Sequence, residues 1–177
     1  MRCDQLEHLI RAAGSLLGDD TVIVIGSQAI LATVPAPAEE ALMRSMEADL
    51  LPLDDPLEEK ADLIDSVLGA GSIFDDTHGV HADGVSITTP VLPAGWRQRL
   101  VEISNPNTNG VRGLCLEPHD LVVSKLAAGR AKDIEFCDAA VRCGLVDPAV
   151  IADHAQSTDL AAAVQARVTS WVARWGT

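Results

Sequence analysis

Two acidic residues stand at alternate positions in a short apolar stretch, MEADLLPL (46–53). If this stretch is a β-strand, Glu47 and Asp49 project from one face of it, about 7 Å apart. Such a pair can bind a hard divalent cation, since Mg²⁺ prefers oxygen ligands and is commonly held by one or two carboxylates together with substrate phosphates. The alternative is an ordinary solvated edge strand, because the chain carries 26 acidic residues.

A Gly-Ser pair precedes the acidic strand. Gly26 and Ser27 follow the β-branched run TVIVI (21–25), which predicts a strand covered on both faces, and they open a short helix over QAILAT (28–33). Backbone N–H groups at a helix start lack partners within the helix and attract phosphate. Beside the carboxylate pair, this turn predicts a site that aligns a nucleoside triphosphate for in-line displacement with metal ions.

Basic residues cluster in one place in this acidic chain. Lys125, Arg130 and Lys132 are three of only 13 basic residues, and they fall within eight positions. Such a cluster predicts an anion site. A lone lysine on an apolar helix can also simply extend its ammonium group to solvent, so that alternative stays open for Lys125. Asp133 follows in the first turn of the next predicted helix, where a carboxylate also complements the helix dipole.

Taken in order, these stretches resemble a known family. IGSQAI…RSMEADLLP is similar to the Gly-Ser entry and acidic-x-acidic strand of the polymerase-β-like nucleotidyltransferase superfamily. EPHDLVVSKLAAGRAKDIEF is similar to the Lys-x-x-Ala-x-Arg-x-x-Asp helix of its AbiEii-type branch, which includes the nucleotidyltransferase toxins of toxin–antitoxin systems. Together the two stretches cover roughly a third of the chain.

The resemblance implies a metal-dependent nucleotidyltransferase that moves NMP from an NTP to a hydroxyl acceptor, with RNA, and tRNA in particular, as a candidate acceptor. It implies Mg²⁺ or Mn²⁺ as cofactor and an antitoxin-like protein as a candidate partner. The residues that it brings to the site are Gly26 and Ser27 for the phosphates, Glu47 and Asp49 as metal ligands and catalytic residues, Lys125 for the triphosphate and catalysis, Arg130 for the nucleotide, and Asp133 for catalysis, as third metal ligand or base.

The chain departs from the family pattern in two ways. The segment between Ser27 and Glu47 is longer than in compact members, and the first acidic position holds Glu where Asp is commoner. A third carboxylate on a neighbouring strand is usual in the superfamily, and Asp83 and Glu102 are the candidates for it. The runner-up hypothesis is therefore a catalytically silent member of the same fold that serves as an interaction or regulatory module.

A third hypothesis places a transition metal on the segment FDDTHGVHADG (74–84). Its His-x-x-His spacing lacks the helical i, i+4 geometry of zinc proteases, and no distant third ligand accompanies it. A solvated loop, or a flap over a nucleotide, is the favoured interpretation of this segment.

The bulk composition limits the remaining function classes. With 177 residues and 47% apolar content, the chain predicts a globular protein with a real core. A formal net charge of −13 argues against a generally basic nucleic-acid or membrane surface, although a local basic pocket could still hold a nucleotide or RNA end. Four cysteines without CxxC spacing predict free thiols, and we expect a cytoplasmic protein without membrane partners.

The elements that position the site follow from periodicity and capping residues. We expect an α+β fold: a small mixed sheet of the nucleotidyltransferase type with flanking helices, and a C-terminal half that is helical. The two parts are a core at 1–117 and a helical region at 118–177 packed on it as one continuous domain. Trp171 and Trp175, four positions apart on the last predicted helix, predict a shared face that could support a homodimer.

Overall fold

The computed structural model describes residues 1–175. They form one five-stranded mixed sheet with flanking helices, which confirms the predicted α+β class. Along the sheet the strand order is β3-β2-β1-β5-β4, with the pairs β2–β3 and β1–β5 parallel and the pairs β1–β2 and β4–β5 antiparallel. The strands are β1 (Thr21–Val24), β2 (Glu47–Leu51), β3 (His81–Gly84), β4 (Val101–Ile103) and β5 (Arg112–Cys115).

Helices surround this sheet and dominate the second half of the chain. The α-helices are α1 (Cys3–Leu17), α2 (Glu40–Met43), α3 (Glu59–Leu68), α4 (Ile73–His78), α5 (Pro118–Ala128), α6 (Ala131–Arg142), α7 (Pro148–Gln156) and α8 (Ala162–Trp175). Short 3₁₀ helices lie at Ser27–Ala32, Trp96–Gln98 and Pro106–Thr108.

The two faces of the sheet have different environments. On one face, buried side chains such as Val22, Val24 and Leu50 belong to a large core that continues into α5 and α6. On the other face, a small apolar cluster of Ile23, Ile25 and Leu51 packs at the centre of the sheet. Because side chains alternate along β2, its polar residues lie on this second, partly open face.

Helix α3 begins later than its sequence predicts. The stretch DPLEEKADLIDSVLGAG (55–71) predicts a helix with Asp55 as cap and Pro56 in the first turn, but Glu58 has a left-handed backbone (φ 60) and the helix starts after it. Asp55 still caps the first turn, because its carboxylate accepts hydrogen bonds from the N–H groups of Lys60 (3.1 Å) and Ala61 (2.9 Å). The capping residue is therefore predicted correctly, whereas the predicted start of the helix is wrong.

The segment at 74–84 is not the predicted loop. Its first part lies in α4, whose start is capped by Ser72 accepting from the N–H of Asp75, and whose end is Gly79 with φ 66. Its second part is β3, which pairs with β2. The residues DGVSITTPVL (83–92) predict a strand, but this prediction is wrong beyond its first two residues, because β3 ends at Gly84 and the residues up to 92 form no strand.

Buried polar contacts anchor helix α5 at its start. Glu117 caps the helix by accepting from the N–H groups of His119 and Asp120. The Asp120 carboxylate is fully buried and receives two hydrogen bonds from Arg99, each 2.9 Å long. His154 of α7 approaches the same carboxylate with its Nδ1 at 2.9 Å. These contacts tie the segment before β4, α5 and α7 together.

All four cysteines are free thiols, as predicted. No helix within residues 1–175 is long and apolar enough to cross a membrane. Trp171 is 2% exposed and donates its indole N–H to Asp138 (2.7 Å), so it is a core residue and offers no dimer surface. Its neighbour Trp175 packs against it with ring centroids 6.4 Å apart.

We expect Asp120→Asn to lower the free energy of unfolding by about 3 kcal/mol, because it leaves Arg99 without its buried ionised partner. The measurement is chemical denaturation followed by circular dichroism. The matched control is Glu39→Gln, which breaks the exposed ion pair with Arg142 and should leave the free energy of unfolding nearly unchanged. Equal effects of the two variants would contradict the anchoring role of Asp120.

Candidate active site

A cavity of about 670 Å³ opens between β2 and the corner where α5 meets α6. The site residues that the resemblance implies all lie in its wall: Gly26, Ser27, Glu47, Asp49, Lys125, Arg130 and Asp133. Asp83 and Glu102, the two candidates for a third carboxylate, do not line it. The cavity volume falls in the range of pockets that bind small molecules, about 300–1,000 Å³. Stretches about 100 residues apart in sequence thus meet around one space.

Three carboxylates share the open face of the sheet. Glu47 and Asp49 lie at alternate positions of β2, and the parallel neighbour β3 places Asp83 directly opposite Asp49. Neighbouring strands are about 4.8 Å apart, so the side chains of a directly opposed pair are close. Glu102, the other candidate for a third carboxylate, lies on the far edge strand β4 and pairs with Arg112 (2.7 Å). Asp83 is therefore the neighbour-strand carboxylate that accompanies the β2 pair.

Gly26 allows the Asp49 carboxylate to approach the backbone. A Cβ atom at Gly26 would lie 1.5 Å from Oδ2 of Asp49, so no other residue fits there unless Asp49 moves. Gly26 also precedes the 3₁₀ helix that begins at Ser27, as the sequence predicted for a turn opening a helix. The turn and the acidic strand are thus in direct contact.

Ser45 and Gln28 fix the entry to β2. The Ser45 hydroxyl accepts a hydrogen bond from the N–H of Glu47 and lies within hydrogen-bond distance of its carbonyl, at 3.2 Å in both cases. The fully buried Gln28 donates from Nε2 to the carbonyl of Ser45 (2.8 Å). These bonds orient the first residue of the strand and hold the 3₁₀ helix against it.

Lys125 stands in the last turn of α5 and is 8% exposed. Its ammonium group donates to the hydroxyl of Ser27 (2.8 Å) and to Asp133 (3.3 Å), and it lies 4.5 Å from the centre of the Phe136 ring. The lysine does not extend to solvent, because these partners hold its charge against the cavity wall. Its contact with Ser27 joins the C-terminal helices to the Gly-Ser turn.

Asp133 organises the two principal cations. Its carboxylate is 1% exposed and accepts from Lys125 and from Arg130, whose Nε lies 2.6 Å away. Burial alone would raise the pKa of Asp133, but the hydrogen bond from Arg130 and the charge of Lys125 outweigh it, so the pKa lies below its ordinary value. The residue is thus an ionised anchor between the two cations.

The acidic face has the opposite electrostatics. Burial, followed by repulsion from Glu47, raises the pKa of Asp49 to about 6, although Lys125 partly opposes the shift. Asp83 adds to the repulsion on Asp49, and its own pKa is raised by burial and then by Glu47 and Asp65. The carboxylates destabilise one another when ionised, which a bound cation would relieve.

The cavity wall also contains residues that the sequence analysis did not single out. Arg44, at the end of α2, and Phe136 of α6 both line it, as does the segment Thr89–Val91 after β3. Phe136 could have been found from its position one turn after Asp133 on a helix. Arg44 lies in the segment between Ser27 and Glu47, and no local pattern marks it as a site residue.

A second cluster of possible metal ligands lies elsewhere. Within the described part of the chain, Glu117, Asp120 and His154 bring three ligand atoms within 4.8 Å of one another, which Glu47, Asp49 and Asp83 do not. However, Asp120 already accepts two hydrogen bonds from Arg99, whose positive charge disfavours a cation at the same oxygens. We interpret this cluster as the anchor of α5.

The metal site hypothesised on 74–84 does not gain support. His78 lies against His8 of α1, with their Nε2 atoms 3.4 Å apart, while His81 pairs with Asp75 (3.4 Å). The two histidines of the His-x-x-His motif therefore have different partners. Strand β3 places His81 opposite Glu47 and Asp83 opposite Asp49, so Asp83 is the carboxylate of this segment that lies beside the β2 pair.

The chain matches, over residues 4–175, the sequence model of a family described as "Nucleotidyltransferase of unknown function (DUF6036)". No curated protein and no solved structure matched the chain. The family match covers both stretches from which the resemblance was drawn, at 25–52 and 117–136, and agrees with it at the level of nucleotidyltransferases. Because the match extends over nearly the whole chain, this protein belongs to that nucleotidyltransferase family.

Proposed function

We propose that this protein is a metal-dependent nucleotidyltransferase that moves NMP from an NTP to a hydroxyl acceptor, with its active centre in the cavity between β2 and α5. The observation that supports this most strongly is the pairing of opposite charges across one space. Carboxylates of β2 lie on one side, and Lys125 with Arg130 lies on the other. This arrangement matches a substrate that brings cations and phosphates together.

The acidic face fits a hard divalent cation, and we propose Mg²⁺. Glu47, Asp49 and Asp83 offer only carboxylate oxygens, the ligand type that Mg²⁺ prefers. Their mutual repulsion and the raised pKa of Asp49 are typical of a site that is completed by positive charge. When bound, the cation would neutralise charge that develops on the transferred phosphoryl group.

The residues facing the acidic pair would hold the triphosphate. Lys125 and Arg130 supply positive charge, and the Ser27 hydroxyl with the backbone of the Gly26–Ser27 turn supplies hydrogen-bond donors. Fixed donors of this kind stabilise charge without reorganising during the reaction. We assign Asp133 the role of positioning Lys125 and Arg130, because both cations already occupy its carboxylate.

The acceptor, the partner and the location are also part of this proposal. The AbiEii-type resemblance favours an RNA acceptor, a toxin-like role with an antitoxin-like protein partner, and the cytoplasm as location. The last helix does not support a homodimer, because Trp171 is a core residue. The acidity of the chain, with a net charge of −13, makes a protein or small-molecule acceptor an equal alternative to RNA.

We expect Glu47→Gln and Asp83→Asn each to lower the rate of NMP transfer by about 100-fold or more, the effect of losing roughly 2.7 kcal/mol of transition-state stabilisation. The measurement is incorporation of label from each α-³²P-labelled NTP in the presence of Mg²⁺ and total RNA. Calorimetric titration with Mg²⁺ and the same nucleotides separates binding from transfer.

Glu102→Gln is the matched control, because Glu102 was the other candidate third carboxylate and lies on a distant edge strand. It should retain the wild-type rate. Wild-type transfer that Glu47→Gln leaves unchanged would contradict the proposed site. A wild-type protein that binds no NTP with Mg²⁺ would instead favour the silent interaction module.

We expect Asp49→Asn to stabilise the metal-free protein by up to about 3 kcal/mol above pH 6. The pKa of Asp49 rises from its ordinary 3.8 to about 6 in the folded state, so the folded protein holds this proton more tightly than the unfolded chain does. The wild type therefore loses stability as pH rises from 3.8 to about 6, whereas the amide cannot ionise and avoids that loss.

Thermal unfolding in EDTA at a series of pH values measures this difference, which should disappear below about pH 4. Adding Mg²⁺ should raise the wild-type melting temperature and leave the Asp49→Asn variant nearly unchanged. A variant that is less stable than the wild type in EDTA at pH 8 would contradict the destabilisation of ionised Asp49 by burial and by Glu47.

A further inference from the structure

Two ion pairs bridge α2 and α6 at the rim of the cavity. Arg44 donates to Glu135 (2.8 Å), and Arg142 donates to Glu39 with two hydrogen bonds (3.0 and 2.8 Å). Each pair links one residue of the α2 region with one residue of α6, so the two are similar in their structural role.

The two arginines differ in what they face. Arg44 lines the large cavity together with Lys125, Arg130 and Lys132, so four of the chain's 13 basic residues meet there. Arg142 lines a smaller depression of about 330 Å³, which Arg44 also lines, but it does not line the large cavity. A ligand in the large cavity is therefore within reach of Arg44 and not of Arg142.

The cations of the cavity also differ in how firmly they are held. Lys125 and Arg130 bind the buried Asp133, and releasing either would weaken the pairing of a carboxylate inside the protein. The side chains of Arg44 and Glu135 are both 57% exposed, and exposed ion pairs of this kind contribute little net stability. Arg44 can therefore exchange its partner at small cost.

We propose that Arg44 is a polyphosphate-binding residue that leaves Glu135 and pairs with the terminal phosphates of the nucleotide. The proposal rests on the proposed function, since it names a further contact of the same substrate. A guanidinium group matches phosphate oxygens with two parallel hydrogen bonds, and a triphosphate offers more negative charge than one carboxylate. Glu135 then acts as a competitor that holds Arg44 at the rim until the substrate arrives.

The position of Arg44 in the chain supports this assignment. It lies three residues before Glu47 and directly before Ser45, whose hydroxyl and carbonyl orient the start of β2. A phosphate contact at Arg44 would therefore act on the strand that carries the acidic pair. Lys132, which is exposed and forms no ion pair among the residues described here, lies in the same cavity wall and adds to the local positive charge.

Calorimetric titration with inorganic tripolyphosphate, with and without Mg²⁺, tests the proposal, because this probe has no base or sugar. Arg44→Gln should raise the Kd for tripolyphosphate about 10-fold or more and reduce its dependence on salt. Glu135→Gln should lower the Kd at least about 2-fold, since it removes the competitor. Arg142→Gln, the matched control, should stay within about 2-fold of the wild type.

Three results would overturn the proposal. The first is an Arg44→Gln variant that binds tripolyphosphate as the wild type does. The second is an Arg142→Gln variant that weakens binding as much as Arg44→Gln, because the effect would then come from the packing of α2 on α6. If Arg44→Gln does not fold, Arg44→Met replaces it, and wild-type binding by that variant is the third result. A wild-type protein that binds neither tripolyphosphate nor any NTP would overturn the proposed function itself, whereas normal wild-type binding with an unaffected Arg44→Gln overturns only this inference.

Discussion

Repulsion between carboxylates on one face of a small sheet is the constraint on which the rest of the site depends. Glu47 and Asp49 of β2 and Asp83 of β3 lie on the same open face, where burial and then repulsion from Glu47 raise the pKa of Asp49. The protein sets positive charge opposite them on α5 and α6, where the buried Asp133 holds Lys125 and Arg130 together. The acidic residues thus have two different roles. The carboxylates of β2 and β3 repel one another and favour a bound cation, whereas Asp133 holds two cations in position for an anion.

Local sequence signals were sufficient for much of the fold. Helix α1 ends at a left-handed Gly18, and α7 begins with Asp147 as cap and Pro148 behind it, as capping rules predict. Which strands pair was harder to predict, because the neighbours of β2 are distant from it in sequence. The chain from 71 to 92 shows this: a capped helix and an early strand replace the predicted loop and later strand.

The site was predictable where its residues follow a spacing and not where they depend on tertiary contacts. Alternation along a strand identified Glu47 and Asp49, and the cluster of basic residues identified Lys125 and Arg130, all of which line one cavity. The sequence left Asp83 and Glu102 as equal candidates for the third carboxylate. The strand order decides between them, because it places β3 beside β2. Arg44 has no such spacing, because its relation to the cavity arises from the packing of α2 on α6.

The close contact between Gly26 and Asp49 has a consequence for how variation in this chain should be interpreted. Backbone and carboxylate occupy adjoining volume, so even a methyl group at Gly26 must displace the acid. A neutral replacement there would alter the electric field in the cavity although no charged residue had changed. A mutational scan that scores activity alone would count Gly26 among the chemically active residues, whereas its contribution is the room it leaves empty.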